Sequence, residues 1–158
     1  SAIANRLAAF KMDIHYYARS KKSTADSWTY HADPVALAHK VDFLFVALVG
    51  GEETSKFASA EVIQALGPDG ILINISRGST VDEDALLKAL ETKALRGAAL
   101  DVFAGEPNIN PKFLELDNVF MQPHQGSGTV ETREAMSKLQ RDNLSNFFAN
   151  RALLTPVN

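Results

Sequence analysis

Gly70-Ile71-Leu72-Ile73-Asn74-Ile75-Ser76-Arg77-Gly78-Ser79-Thr80-Val81-Asp82-Glu83-Asp84-Ala85-Leu86-Leu87-Lys88-Ala89-Leu90 is the stretch whose reading decides the fold. From Gly70 to Ile75 it is almost wholly apolar, as a strand buried on both faces requires. A short polar loop follows, and Leu86, Leu87 and Leu90 then recur at helical spacing. Thr80 and Glu83 stand at capping-box distance, with Asp82 as an alternative cap. The helix is expected to stop at Gly97. A buried strand, a tight loop and a capped helix together make the unit from which α/β proteins are built.

The same alternation extends in both directions. Upstream, Val41 to Leu48 reads as a second strand buried on both faces. Ser59 to Leu66 is a short helix closed by Gly67-Pro68, and Asp33-Pro34 opens another, with Asp33 as cap. Thr29 to His31 is a short strand. In Met12 to Arg19 the apolar residues fall at even positions, the period of a half-buried strand. Ile3, Leu7 and Phe10 place an apolar face on an opening helix. Downstream, Ala98 to Phe103 and Asn118 to Met121 are strands. A long helix from about Thr129 to Asn150 is expected to bury Met136, Leu139, Leu144, Phe147 and Phe148, and the tail Leu153 to Asn158 is read as extended. Strands alternating with helices predict an α/β domain with a mainly parallel sheet.

Composition narrows the class. With 46% hydrophobic and 22% charged residues the chain is neither disordered nor fibrous. A net charge of −3 offers no general attraction to nucleic acid or to an acidic membrane. No cysteine is present, which excludes disulfides and thiolate metal sites and fits a reducing compartment; no metal is expected.

In a doubly wound parallel sheet, ligands bind at the carboxyl ends of the strands. Three such ends carry Arg77, Glu106 and His124: a cation, a carboxylate and an imidazole. His15, His31 and His39 have no such company and read as surface or structural.

These residues lie in motifs. Asn74-Ile75-Ser76-Arg77-Gly78-Ser79-Thr80-Val81-Asp82-Glu83, Asp101-Val102-Phe103-Ala104-Gly105-Glu106-Pro107 and Pro123-His124 resemble, in order and spacing, the signatures of the D-2-hydroxyacid dehydrogenases. Arg19-Ser20-Lys21-Lys22, Gly126 to Arg133 and Leu153 to Val157 resemble the branch that reduces glyoxylate, hydroxypyruvate and hydroxyphenylpyruvate. The resemblance implies a Rossmann-like dinucleotide-binding domain and hydride transfer from NADPH to a small 2-oxoacid. It implies a cytoplasmic enzyme that is a homodimer at full length, with no nucleic-acid or membrane partner. Arg77 would hold the substrate carboxylate and polarise the ketone, His124 would supply the proton, and Glu106 would orient the imidazole. Asp101 would hold the nicotinamide carboxamide, and Ala47, Leu48, Ile75 and Gly126 would line the cofactor.

The cofactor follows from the end of the Met12–Arg19 strand. NAD-specific folds place an acid there, whereas cations accommodate the 2′-phosphate of NADP. Here Arg19, Ser20 and Lys22 occupy it, with no acid before Asp26, so NADP is preferred over NAD. Gly126-Ser127-Gly128 is not the pyrophosphate fingerprint, because its third glycine position is Glu131 and it follows the last strand. The family's first strand and glycine loop are missing, and Ser1-Ala2-Ile3 matches the point just past that loop. Residues 1–127 are therefore expected to be a dinucleotide-binding domain without its first strand. Residues 128–158 are expected to be a helix and tail that would pack on an absent substrate domain, leaving Phe147 and Phe148 exposed in an isolated fragment. A non-catalytic, corepressor-like sensor of the dinucleotide, or an inactive fragment, are the alternatives to a reductase.

Overall fold

A computed structural model describes residues 2–23 and 27–156. Ser1, Asp26, Val157 and Asn158, which enter the sequence reading, lie outside the described residues. The chain forms two compact units, one up to Gln122 and one from Pro123 onward. This division falls ahead of the 127/128 boundary read from the sequence.

The first unit runs α1 (Ala2–Ala9), β1 (His15–Tyr17), β2 (Thr29–His31), α2 (Pro34–Ala38), β3 (Phe43–Val46), α3 (Ala60–Leu66), β4 (Ile71–Asn74), α4 (Glu83–Glu91), β5 (Gly97–Leu100) and β6 (Val119–Met121). Every strand pair is parallel, and α3 and α4 make the crossovers from β3 to β4 and from β4 to β5. The single sheet expected is two sheets, β1-β2 and β3-β4-β5-β6; among the described residues no strand joins β1 to β3.

One apolar layer holds the unit together. Leu44, Val46, Leu72, Ala98 and Leu100 from the larger sheet meet Leu37, Val62, Ile63, Leu66, Leu86, Leu87 and Leu90 from α2, α3 and α4. Leu72 and Leu90 are completely buried, so truncating either to Ala would cost about 2–5 kcal/mol. The helix starts are the expected ones. The Asp33 carboxylate accepts the Ala36 N–H at 2.7 Å and Ser59 caps α3. For α4 the cap is Asp82, which accepts the Ala85 N–H at 3.2 Å; Thr80 is engaged elsewhere.

Several expectations are corrected. The helix α4 ends at Glu91, not at Gly97: the Thr92 hydroxyl bonds the Lys88 carbonyl and Lys93 turns left-handed at φ 56°. Gly97 instead opens β5, where a Cβ would lie 2.9 Å from the Asn118 carbonyl oxygen. Strand β3 is not buried on both faces, since Phe43 is 43% exposed. Its inward residues Leu44 and Val46 face α2–α4, and the face carrying Phe43 does not. In β1 it is the odd-numbered Tyr17 that packs on the core and on Phe57, while Tyr16 stacks with Trp28 and Tyr30, so both faces are covered. Phe10 lies beyond the end of α1 and is exposed.

The second unit is α5 (Val130–Phe148), capped by Thr129, with the turn before it and the tail after it. It buries none of Met136, Leu139, Leu144, Phe147 or Phe148. So short a unit has too little chain to cover an apolar face. The tail is not a free extended end: Asn143 accepts the Leu154 N–H at 2.9 Å and donates to the Thr155 hydroxyl at 3.0 Å, and Asn146 donates to the Ala152 carbonyl. No described helix is long and apolar enough to cross a membrane.

Candidate active site

Parallel register brings the ends of β3 to β6 to one edge. Val46 pairs with Asn74 and Asn74 with Leu100, and Leu100 pairs with Met121. The ladder continues one residue further: Ile75 N–H donates to Val46, Asp101 N–H to Asn74 and Gln122 N–H to Leu100. Ala47, Ile75, Asp101 and Gln122 thus form one row along the carboxyl edge, with Leu48 directly behind Ala47. Of these, Ala47 and Ile75 are exposed and Leu48 packs against the core. The sequence reading had Ala47, Leu48, Ile75 and Asp101 in view; Gln122 enters only through the register.

Arg77 leaves β4 on a rigid turn. Its carbonyl accepts three hydrogen bonds, from Asn74 Nδ2 at 3.0 Å, from the Thr80 hydroxyl at 2.7 Å and from the Thr80 N–H at 3.1 Å. Asn74 Oδ1 in turn accepts the Ser76 N–H and hydroxyl, and Ser76 Oγ lies 2.9 Å from Thr80 Oγ1. Asn74, Ser76 and Thr80 are all buried, so each lost partner would leave a polar group unsatisfied in the interior. A second strap holds the same turn: Lys56 and Ala58 N–H groups donate to the Ser79 and Thr80 carbonyls, and Asp82 N–H donates to Ala58. The side chain of Arg77 emerges from this cage into solvent, with Nη1 on the Ser76 carbonyl at 2.6 Å. It passes so close to Gly50 that a Cβ there would come within 2.5 Å of Arg77 Cγ.

Glu106 is on the loop after β5. Gly105 adopts φ 77°, a conformation open to glycine, and the chain doubles back so that Glu106 Oε1 accepts the Phe103 N–H at 2.8 Å. The two loops touch. A Cβ on Gly78 would lie 2.0 Å from the Phe103 carbonyl carbon, and Glu83 Oε2 accepts the Ala104 N–H at 2.8 Å. The sequence places Glu83 at capping spacing and at the end of the Asn74–Glu83 motif, but its bond to a residue far along the chain leaves no mark in local spacing.

His124 opens the second unit. Its backbone is left-handed at φ 52°, uncommon for a residue with a side chain, and Gly128 N–H closes the following turn on the Gln125 carbonyl at 2.8 Å. Gly126 and Gly128 are thus turn residues, as expected. Of the other histidines, His39 is exposed, and His15 and His31 pair with each other across β1 and β2, His15 Nδ1 lying 2.9 Å from His31 Nε2, a structural contact.

At the end of β1, Arg19, Ser20 and Lys22 are all exposed. Cations at this strand end and a row of small and apolar residues after β3 and β4 suit the two ends of a phosphorylated dinucleotide. The residues present therefore fit the cofactor implied by the sequence.

Residues 1–126 match the model of the D-isomer specific 2-hydroxyacid dehydrogenase NAD binding domain. Over 99% of its length the chain is 47% identical to a 2-ketogluconate reductase of Gluconobacter oxydans and 48% identical to a hydroxyphenylpyruvate reductase of Plectranthus scutellarioides. Among solved structures it is similar to an NADPH-dependent glyoxylate/hydroxypyruvate reductase of Sinorhizobium meliloti in complex with NADP and malonate. The TM-score is 0.95 and the identity 47%, over 99% of this chain and 49% of that one. A 2-hydroxyacid dehydrogenase of Ketogulonicigenium vulgare gives a TM-score of 0.93 at 54% identity, over 99% of this chain and 49% of that one. The chain spans about 50% of the length of the curated relatives it matches.

Proposed function

This chain belongs to the D-isomer specific 2-hydroxyacid dehydrogenase family, and on that premise we propose that it is the cofactor-binding part of a 2-oxoacid reductase. The reaction is reduction of a small 2-oxoacid to the D-2-hydroxyacid, with glyoxylate, hydroxypyruvate and hydroxyphenylpyruvate as the substrates to try first; the similarity to a 2-ketogluconate reductase adds that acid. The observation that carries the reading is the linkage of the Arg77 and Glu106 loops at adjacent strand ends, through Gly78 against Phe103 and Glu83 on Ala104.

When bound, NADPH supplies the hydride. The chain's own residues supply the rest. Arg77 is exposed on a caged turn, and its planar fork of donors matches a carboxylate beside a ketone oxygen. Charge developing on that oxygen is stabilised by a cation already in place. His124 would deliver the proton that neutralises the alkoxide, and Glu106 is the carboxylate that would hold the imidazole in the tautomer and orientation that delivery needs. In this reading Asp101, at the end of β5, would hold the carboxamide of the nicotinamide ring, and Gly126 would line the cofactor.

NADPH is preferred over NADH in this reading, because Arg19, Ser20 and Lys22 occupy the strand end where an acid would serve the ribose of NAD. In this reading the α5 helix and tail would pack on a substrate domain of the whole protein, through apolar residues that are exposed here.

The decisive experiment is His124→Gln in the full-length protein. The amide keeps the hydrogen-bonding shape but donates no catalytic proton, so kcat for glyoxylate or hydroxypyruvate should fall by about 10²-fold or more. NADPH binding, measured by fluorescence titration, should stay within about twofold. An unchanged kcat would refute the mechanism.

A further inference from the structure

Two tyrosine hydroxyls grip the basic turn after β1 from its two ends. Tyr30, at the centre of β2, donates from Oη to the Ala18 carbonyl at 3.1 Å, just before the turn. Tyr16, its direct cross-strand partner at the centre of β1, accepts the Lys22 backbone N–H on Oη at 3.0 Å, at the far end of the turn. Arg19, Ser20 and Lys21 lie between these two anchors, and all are exposed. The two rings form a tilted pair with centroids 5.4 Å apart, and Trp28 stands edge-on to Tyr16 at 6.3 Å, so ring contacts help to hold both hydroxyls at their partners.

The turn needs such anchors. Arg19, Lys21 and Lys22 carry like charges on a short exposed segment, and left to themselves they would spread apart. A phosphate monoester is bound well only if several donors converge before it arrives, since each side chain ordered on binding costs free energy. The tyrosines fix the backbone at both ends of the turn and thereby limit where Arg19, Ser20 and Lys22 can reach.

We propose that Tyr16 and Tyr30 are positioning residues for cofactor specificity, holding the Arg19–Lys22 turn in the form that takes a ribose 2′-phosphate. The inference rests on the NADPH reading above and adds the residues that act through Arg19, Ser20 and Lys22 instead of touching the phosphate. It separates two roles that a stability measurement alone would merge. A purely structural tyrosine would affect both cofactors alike; a positioning tyrosine affects only the one that carries the phosphate.

The test uses Tyr16→Phe, Tyr30→Phe and the double variant in the full-length protein, which keep the rings and remove only the hydroxyls. Each hydroxyl is worth about one hydrogen bond to the turn, so the NADPH dissociation constant should rise about threefold to tenfold in each single variant. The NADH dissociation constant should stay within about twofold. Equal weakening of both cofactors, or no change in either, would overturn the proposal. Arg19→Ala is measured alongside. If it weakens NADPH selectively while the tyrosine variants do not, only the tyrosine role falls. If it weakens both cofactors equally, the NADPH reading itself fails and this inference falls with it. Thermal melts of each variant keep a loss of fold from passing as a loss of specificity.

Discussion

Glu83 accepts the backbone N–H of Ala104 at 2.8 Å, so the first turn of the helix behind Arg77 holds the loop that carries Glu106. Gly78 completes the joint by lying flat against the Phe103–Ala104 backbone. The cation loop and the carboxylate loop are therefore one mechanical piece, built from the strand ends of β4 and β5 and the start of α4. Preorganisation of this kind is what electrostatic catalysis requires, because groups already in place need no rearrangement as charge develops.

Gly78→Ala should break that joint. The added methyl would meet main-chain atoms at 2.0–2.3 Å, and backbone cannot step aside as a flexible side chain can. A cost of about 1–3 kcal/mol is expected, as for overpacking in a core. The melting temperature should drop by roughly 2–4 °C for each kcal/mol. Gly51→Ala is the matched control, since nothing lies within 4 Å of a Cβ there. Indistinguishable melts for the two variants would mean that the close approach at Gly78 is not a constraint.

Glu83→Ala and Glu83→Gln separate the bond from the charge. The alanine removes the acceptor for the Ala104 N–H, a loss of about 1 kcal/mol, and lets the Glu106 loop move. The glutamine keeps a carbonyl oxygen that can accept the same N–H. Steady-state kinetics on the full-length protein should show kcat reduced by about tenfold in the alanine variant, with KM for the 2-oxoacid little changed, and most of the loss recovered in the glutamine variant. A glutamine variant as impaired as the alanine would point to the negative charge itself and not to loop anchoring.

The fold was legible in the sequence wherever the signal was local. The β4 strand, the cap at Asp82 and the separate motifs that carry Arg77, Glu106 and His124 each sit within short windows, although β4 buries only Leu72 and Asn74 fully, with Ile71 and Ile73 half-buried and Ile75 exposed. What stayed hidden depends on partners distant in the chain. Thr80 has capping spacing, yet its hydroxyl goes to the Arg77 carbonyl because the buried Asn74–Ser76 cage offers a better-enclosed partner. Tyr17, not Ile14 or Tyr16, is the residue of β1 packed on the core, since the β2 and Phe57 neighbours that cover its two faces are invisible to period alone. The apolar spacing of α5 predicts a buried face, but the structure buries none of those residues, because spacing alone does not show what lies against a helix.

Asp82 sets an acid limit on the α4 start. Burial pushes its carboxyl up, but the Ala85 N–H and the Lys56 ammonium at 3.2 Å outweigh that and hold it below the ordinary range. A lowered folded-state value means that the stability is fully present above the unfolded value of about 3.9. It is lost as pH falls from there through the folded value. Asp82→Asn still caps the helix but does not titrate. Urea melts over a pH series should therefore show native and variant protein converging as the pH drops below about 4, with the native protein ahead by up to about 1 kcal/mol at neutrality. Parallel curves across that range would exclude Asp82 as a contributor to the acid transition.

Phe147 and Phe148 test the fate of the apolar face on α5. Both are exposed, at 64% and 80%, and stack edge-to-face on each other at 5.5 Å. Neither is in a core, so replacing both with Ser should change the melting free energy of the isolated chain by no more than about 0.5 kcal/mol. Adjacent exposed aromatics beside Leu144 nonetheless form a patch of the kind that drives association. Light scattering of the isolated chain at rising concentration should show self-association that the double variant reduces. In the full-length protein the same substitutions should instead destabilise if α5 packs on a substrate domain as proposed. If the isolated chain lost several kcal/mol and the full-length protein nothing, the helix would be burying these residues within its own unit, and the exposed face described here would be wrong.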